Sequence, residues 1–156
     1  MTSTGNSTPC LDELIRHRGG MSLLDRVVDH GDTWLEARGM VTRSSLFLTE
    51  GVVPAWVGIE YMAQAVAALM GLRARQQGKH ASVGFLVGAR KYLTEGPAFA
   101  VGSELTVWVQ ESLMDEKGLG VFDCQLTCRP PDGASFTASA RLNIFQPDGA
   151  DENYGG

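Results

Sequence analysis

The twenty residues from Val53 to Leu72 are almost wholly apolar, yet they carry one charged side chain, Glu60, with Gln64 one helical turn later. A charge within an apolar helix is costly unless it has a partner or a task. Small residues (Ala63, Ala65, Ala67, Ala68, Gly71) fall on every side of this run, so neighbours can approach it from all directions. Its length is near the roughly 20 apolar residues that span a bilayer. Pro54, Glu60 and Gln64 speak against a span, and no Lys or Arg cluster precedes it. A central acidic residue alone costs about 2.5–3.5 kcal/mol on insertion. A helix that is apolar all round is otherwise a buried central helix, so no membrane partner is expected.

The pattern around it is that of an α+β domain. Thr33–Thr42 alternates, with Leu35, Ala37, Gly39 and Val41 against Trp34, Glu36, Arg38 and Met40, and reads as a strand. The helix is expected from Pro54, a favoured first helical residue, to Gln77, with Gly78 as its stop. Four strand-like runs follow: Ser82–Leu93, Glu104–Asp115, Leu119–Arg129 and Ser135–Gln146. Glu116-Lys117-Gly118 and Pro130-Pro131-Asp132-Gly133 separate the last three as turns. In the last strand Phe136, Ala138, Ala140, Leu142 and Ile144 share one face, as in a half-buried antiparallel strand. Ahead of the first strand, Leu11–Arg18 has the spacing of a short helix and Met21–Val28 is extended and apolar. At 1.5 Å per residue the Pro54–Gln77 helix is about 36 Å long, similar to the roughly 33 Å of a ten-residue strand. One curved sheet can therefore wrap one helix along its length, which is the hotdog fold. The sheet's free edge invites a second copy or a similar chain.

Composition narrows the function. At 156 residues and 44% hydrophobic, the chain is one domain with enough apolar material for a core. The domain is expected over residues 11–146, between a polar tail at 1–10 and an acidic, Gly-rich tail at 147–156, both read as disordered. A net charge of −5 gives no basic footprint for nucleic acid. The N-terminus lacks the charged-then-apolar pattern of a signal peptide. Cys124 and Cys128 lie on one face of a strand about 13 Å apart, too far for a disulfide. With Cys10 in the N-terminal tail, the three cysteines suggest reduced thiols in a cytoplasmic protein. No metal cluster, phosphate loop or dinucleotide fingerprint is present, so no cofactor is expected.

Several segments together resemble a known family. His17-Arg18-Gly19-Gly20-Met21-Ser22-Leu23-Leu24-Asp25-Arg26-Val27 looks like the N-terminal signature of the β-hydroxyacyl-ACP dehydratases. Pro54–Gln64 is similar to that family's helix start and its Glu/Asp-x-x-x-Gln motif. Phe85–Tyr92 and the Val101-Gly102-Ser103-Glu104-Leu105 turn resemble the strand and turn that follow. Pro54–Ala65 and Leu142–Pro147 resemble more closely the dehydratase-like hotdog proteins of aryl-polyene pigment clusters. The resemblance covers about residues 14–146.

The resemblance implies dehydration of a 3-hydroxyacyl thioester carried on an acyl carrier protein. That reaction needs a base for the α-proton, an acid for the departing hydroxyl, and amide donors for the thioester oxygen. By the family pattern, Glu60 is the acid. The donor is the Ala55 N–H, with Val57 or Gly58, in the first turn of the helix, and Trp56 and Gln64 belong to the same substrate-binding site. Trp56 and Tyr61 are expected in the core or lining the acyl tunnel.

The family's base is a histidine in a Gly-His-Phe-Pro type segment. Phe47–Pro54 stands in that place and has no histidine. His17 is a substitute by its place in the motif only. Structural readings stand beside these: Glu60 as a buried carboxylate bonded to structure, Gln64 bonding a neighbouring loop, His17 a hydrogen-bonding histidine before a strand. Asp25-Arg26 reads as a local ion pair or cap, and His30 and His80 as solvated.

Three functions follow. The first is a 3-hydroxyacyl-ACP dehydratase of fatty-acid or aryl-polyene type synthesis. The second is a non-catalytic subunit paired with a complete dehydratase, since the family's site lies at a dimer interface with its two residues from different chains. The third is a hotdog acyl thioesterase. Homodimer and heterodimer with another hotdog dehydratase both remain open.

Overall fold

The computed structural model describes residues 23–78 and 84–146. The Leu11–Arg18 helix, Cys10, His17, His80 and both tails lie outside the described residues. The elements are β1 (Arg26–His30), β2 (Trp34–Met40), β3 (Val52–Pro54), a 3₁₀ turn (Ala55–Val57), α1 (Gly58–Gln76), β4 (Phe85–Thr94), β5 (Ala98–Ala100), β6 (Glu104–Met114), β7 (Leu119–Arg129) and β8 (Phe136–Phe145). Six strands form one antiparallel sheet in the order β1-β2-β6-β7-β8-β4, and β3 and β5 form a separate pair.

The sheet is amphipathic because its strands alternate. Leu105, Val107 and Val109 of β6 are buried, as are Phe122, Cys124, Leu126 and Cys128 of β7 and Ala138, Ala140, Leu142 and Ile144 of β8. The register aligns these into rows across the sheet: Val107 opposes Leu126, which opposes Ala138, and Val109 opposes Cys124, which opposes Ala140. These rows face α1. The helix buries Tyr61, Met62, Ala63, Ala65, Val66, Ala68, Leu69 and Leu72 against β2, β4, β6, β7 and β8. Its alanines set the close approach. Of the helix's most apolar window, 78% is buried inside the domain, so it is a core helix enclosed by protein.

The helix ends where expected. Gly78 takes a left-handed φ of +71°, which costs glycine nothing and stops the helix. Arg73 and Arg75 occupy the last turn, favourable for the helix dipole. Arg73 also forks onto Glu111 of β6, with Nη1 at 2.6 Å from Oε1, tying the helix end to the sheet.

The helix start differs from expectation. Pro54 closes the short strand β3 and caps a 3₁₀ turn, and α1 proper begins at Gly58. Pairing of Val52–Pro54 with Ala98–Ala100 draws the residues before the helix into a two-stranded ladder. β3 and β5 were not expected, and β1 overlaps only the end of the extended stretch expected over Met21–Val28. β3 and β5 have three residues each, and β1 is mostly exposed, so none shows a hydrophobic period.

Removing a large buried side chain from this helix should be severe. Leu69 is fully buried, and Leu69→Ala is expected to lower the unfolding free energy by about 2–5 kcal/mol. Urea unfolding measures this, and a loss below about 1 kcal/mol would contradict enclosure of the helix by the sheet.

Candidate active site

Trp56, Glu60 and Gln64 stand one turn apart along one side of the helix start. Their exposure falls in steps. Trp56 is 62% exposed, Glu60 is half-buried and Gln64 is fully buried. The carboxylate thus sits where the helix passes from solvent into the core, within the first turn, where a negative charge is favoured by the helix dipole. Ala67, seven residues further on, is also half-buried, whereas most of the helix around it is covered. Glu60 therefore lies on the side of the helix that the sheet leaves uncovered.

Gln64 binds the protein. Its Oε1 accepts a hydrogen bond from the Leu23 amide at 2.8 Å, anchoring the chain as it enters the domain. This fits the loop-bonding reading of Gln64. Gln64→Leu should leave that amide unpaired and cost about 1–3 kcal/mol, visible as a lower thermal midpoint. A variant as stable as the parent would remove the structural role.

The amides at the helix start divide clearly. In a 3₁₀ turn the first two N–H groups have no partner within the turn. Here these belong to Ala55 and Trp56. The Ala55 amide donates to the Pro97 carbonyl at 3.0 Å, and the Gly58 amide donates to the Ala55 carbonyl. Neither Ala55 nor Gly58 is therefore a ready donor to substrate, contrary to the expectation for those two residues. The Trp56 amide has no hydrogen-bond partner among the described residues.

Trp56 lies outside the core, one of its two expected places. Its ring is largely exposed and packs edge-on against Phe47, with centroids 5.7 Å apart. Tyr61 is in the core as expected, edge-on to Phe99.

Tyr92 of β4 was not singled out by the sequence. Its hydroxyl donates to the Ala55 carbonyl. Gly58 has no room for a β-carbon because that same hydroxyl occupies the place. The signal in the sequence was the pairing of a glycine at the helix start with an aromatic residue in the next strand, which carries no motif of its own.

Other expected residues serve structure. Asp25 Oδ2 accepts from the Met40 amide at 2.9 Å, capping β2, in line with its reading as a cap. His30 is the last residue of β1, the sheet edge opposite β4. Cys124 and Cys128 are buried free thiols, and burial raises the pKa of both. Among the described residues no group of His, Cys, Asp and Glu is placed to hold a metal ion.

Burial pushes the phenols of Tyr61 and Tyr92 up to about 12, with the Asp25 carboxylate and then Cys128 adding to the effect at Tyr61. Between pH 10 and 12 the folded chain then holds protons that the unfolded chain has lost. Folded stability should be complete below pH 10 and fall as the pH rises towards 12. Tyrosinate absorbance against pH checks this: two phenols titrating at the ordinary value of 10.0 in the folded protein would contradict it.

Comparison with known proteins agrees with this architecture. A family model described as ApeP-like, ApeP dehydratase, matches residues 9–154. The dehydratase heterocomplex ApeI:P from Xenorhabdus doucetiae is 30% identical, with a TM-score of 0.80 over 94% of this chain and 96% of that one. A mutant thioesterase from Pseudomonas aeruginosa is 17% identical with a TM-score of 0.57, covering 90% of this chain and 96% of that one. A hypothetical thioesterase from Streptococcus pneumoniae, solved with coenzyme A, is 15% identical with a TM-score of 0.55, covering 78% and 86%. At these identities the thioesterase matches show the hotdog fold alone. No protein of curated function matches the chain. The family-model match and the heterocomplex match place this hotdog domain in a dehydratase-like class. Within it, the chain belongs to the ApeP-like dehydratase family.

Proposed function

We propose that the chain dehydrates 3-hydroxyacyl thioesters on an acyl carrier protein to trans-2-enoyl thioesters, in a cytoplasmic complex with a second hotdog dehydratase. The observation that carries this reading is the half-buried Glu60 one turn from the Trp56 amide, which has no partner among the described residues. The amide would hold the thioester oxygen as charge develops there. A base takes the proton from C2, and that electron pair becomes the C2–C3 double bond. The C3–O bond breaks, and the Glu60 carboxyl gives its proton to the leaving hydroxyl, which departs as water.

The base is assigned to the partner. Phe47–Pro54 has no histidine, and the one described histidine, His30, ends the edge strand opposite β4. His17 is the candidate within this chain. The edge strand β4 supports a partner. It is ten residues long, one side has no strand beside it among the described residues, and Leu86, Val87 and Leu93 are exposed. A long apolar edge is unstable in isolation and pairs readily with another sheet. The ApeI:P relative is itself a heterocomplex.

Glu60→Gln, assayed with the partner present, should lower turnover of 3-hydroxyacyl carrier protein by about 100-fold or more and leave the thermal midpoint nearly unchanged. Turnover within a factor of about two of the parent would remove Glu60 from the site. The chain alone should be slow. Fast turnover by the lone chain, abolished in His17→Ala, would assign the base to His17.

A further inference from the structure

We propose that Tyr92 is a positioning residue for the dehydration: it fixes the turn that presents the Trp56 amide. This inference rests on the function proposed above and adds the residue that sets the donor's direction.

Three observations carry it. The turn is held from one side by a single stretch of chain. The Tyr92 hydroxyl donates to the Ala55 carbonyl, and the Pro97 carbonyl accepts from the Ala55 amide. The peptide units on both sides of Ala55 are thereby tied to residues 92–97. The next amide along, at Trp56, has no partner among the described residues.

The contact is also built into both elements. Gly58 is the residue whose missing side chain admits the hydroxyl. On the other side, β4 carries a bulge: between Arg90 and Leu93 the strand advances three residues while β8 goes from Arg141 to Ser139. Lys91 takes a left-handed φ of +56° within it, unusual for a residue with a side chain. A bulge redirects the side chains around it. Here Tyr92 is half-buried against the turn while Arg90, Lys91 and Leu93 on either side are exposed. With its phenol raised to about 12, Tyr92 remains a donor throughout the neutral range. Because β4 is the proposed partner edge, one strand then serves both docking and donor geometry.

The test is Tyr92→Phe in the complex with the partner dehydratase, beside Glu60→Gln. The phenylalanine keeps the ring and removes the hydroxyl. The expected result is a fall in kcat of about tenfold, KM changed less than about twofold, unchanged assembly with the partner, and a displaced Trp56 amide resonance in the proton–nitrogen NMR spectrum. Gly58→Ala, which displaces the hydroxyl from the other side, should shift the same resonance. An unchanged kcat in Tyr92→Phe while Glu60→Gln is inactive would overturn the positioning role and leave the function standing. A fall in kcat with the Trp56 resonance unmoved would also overturn it. Full activity in both variants would overturn the function and, with it, this inference.

Discussion

A helix with apolar residues on every side cannot rest on a sheet as an amphipathic helix does, because any uncovered side would expose apolar surface. α1 is such a helix, and its enclosure is the condition on which the rest of the structure depends. The alternating strands β2, β6, β7 and β8 supply the covering face, and the alanines of α1 let the sheet come close. A single sheet nevertheless wraps only part of a cylinder. Glu60 and Ala67 mark the side it leaves open.

The position of the carboxylate follows from that geometry. One turn earlier, Trp56 stands largely in solvent; one turn later, Gln64 is sealed in and spent on the Leu23 amide. Glu60 alone is partly shielded and still accessible. The turn before it supplies the complementary group. Most of its amides are bonded within the protein, to Pro97 or within the turn itself, and among the described residues the one at Trp56 has no partner. In the proposed reaction Glu60 would serve the β-hydroxyl and the Trp56 amide the thioester oxygen, one turn apart.

Much of this was legible in the sequence. The unbroken apolar run announced a central helix, Gly78 its end, and the alternation in Phe136–Ile144 the inward face of β8, since each rests on a local period or a residue with few conformational choices. The carboxylate stood out as the lone charge in the run. The helix start was misjudged because Pro54 fits both the last residue of a strand and the first of a helix. The donor assignment to Ala55 and Gly58 failed for a related reason: which amide is free depends on the Pro97 carbonyl, 42 residues away in sequence. Trp56 was expected in the core or lining the acyl tunnel; its 62% exposure places it outside the core, on the side of the helix the sheet leaves open. Tyr92 lay within the Phe85–Tyr92 resemblance, but its contact with the turn was not legible because it comes from a bulge, and a bulge leaves no period.

The central claim is that the substrate's thioester lies across the helix start, with its oxygen at the Trp56 amide and its hydroxyl at Glu60. The most direct measurement is a crystal structure of the chain in complex with its partner dehydratase, carrying a non-hydrolysable 3-hydroxyacyl pantetheine analogue. The account predicts the carbonyl oxygen within hydrogen-bond distance of the Trp56 N–H and the 3-hydroxyl in contact with the Glu60 carboxyl. An analogue bound with its carbonyl away from the helix start and its hydroxyl out of reach of Glu60 would contradict it.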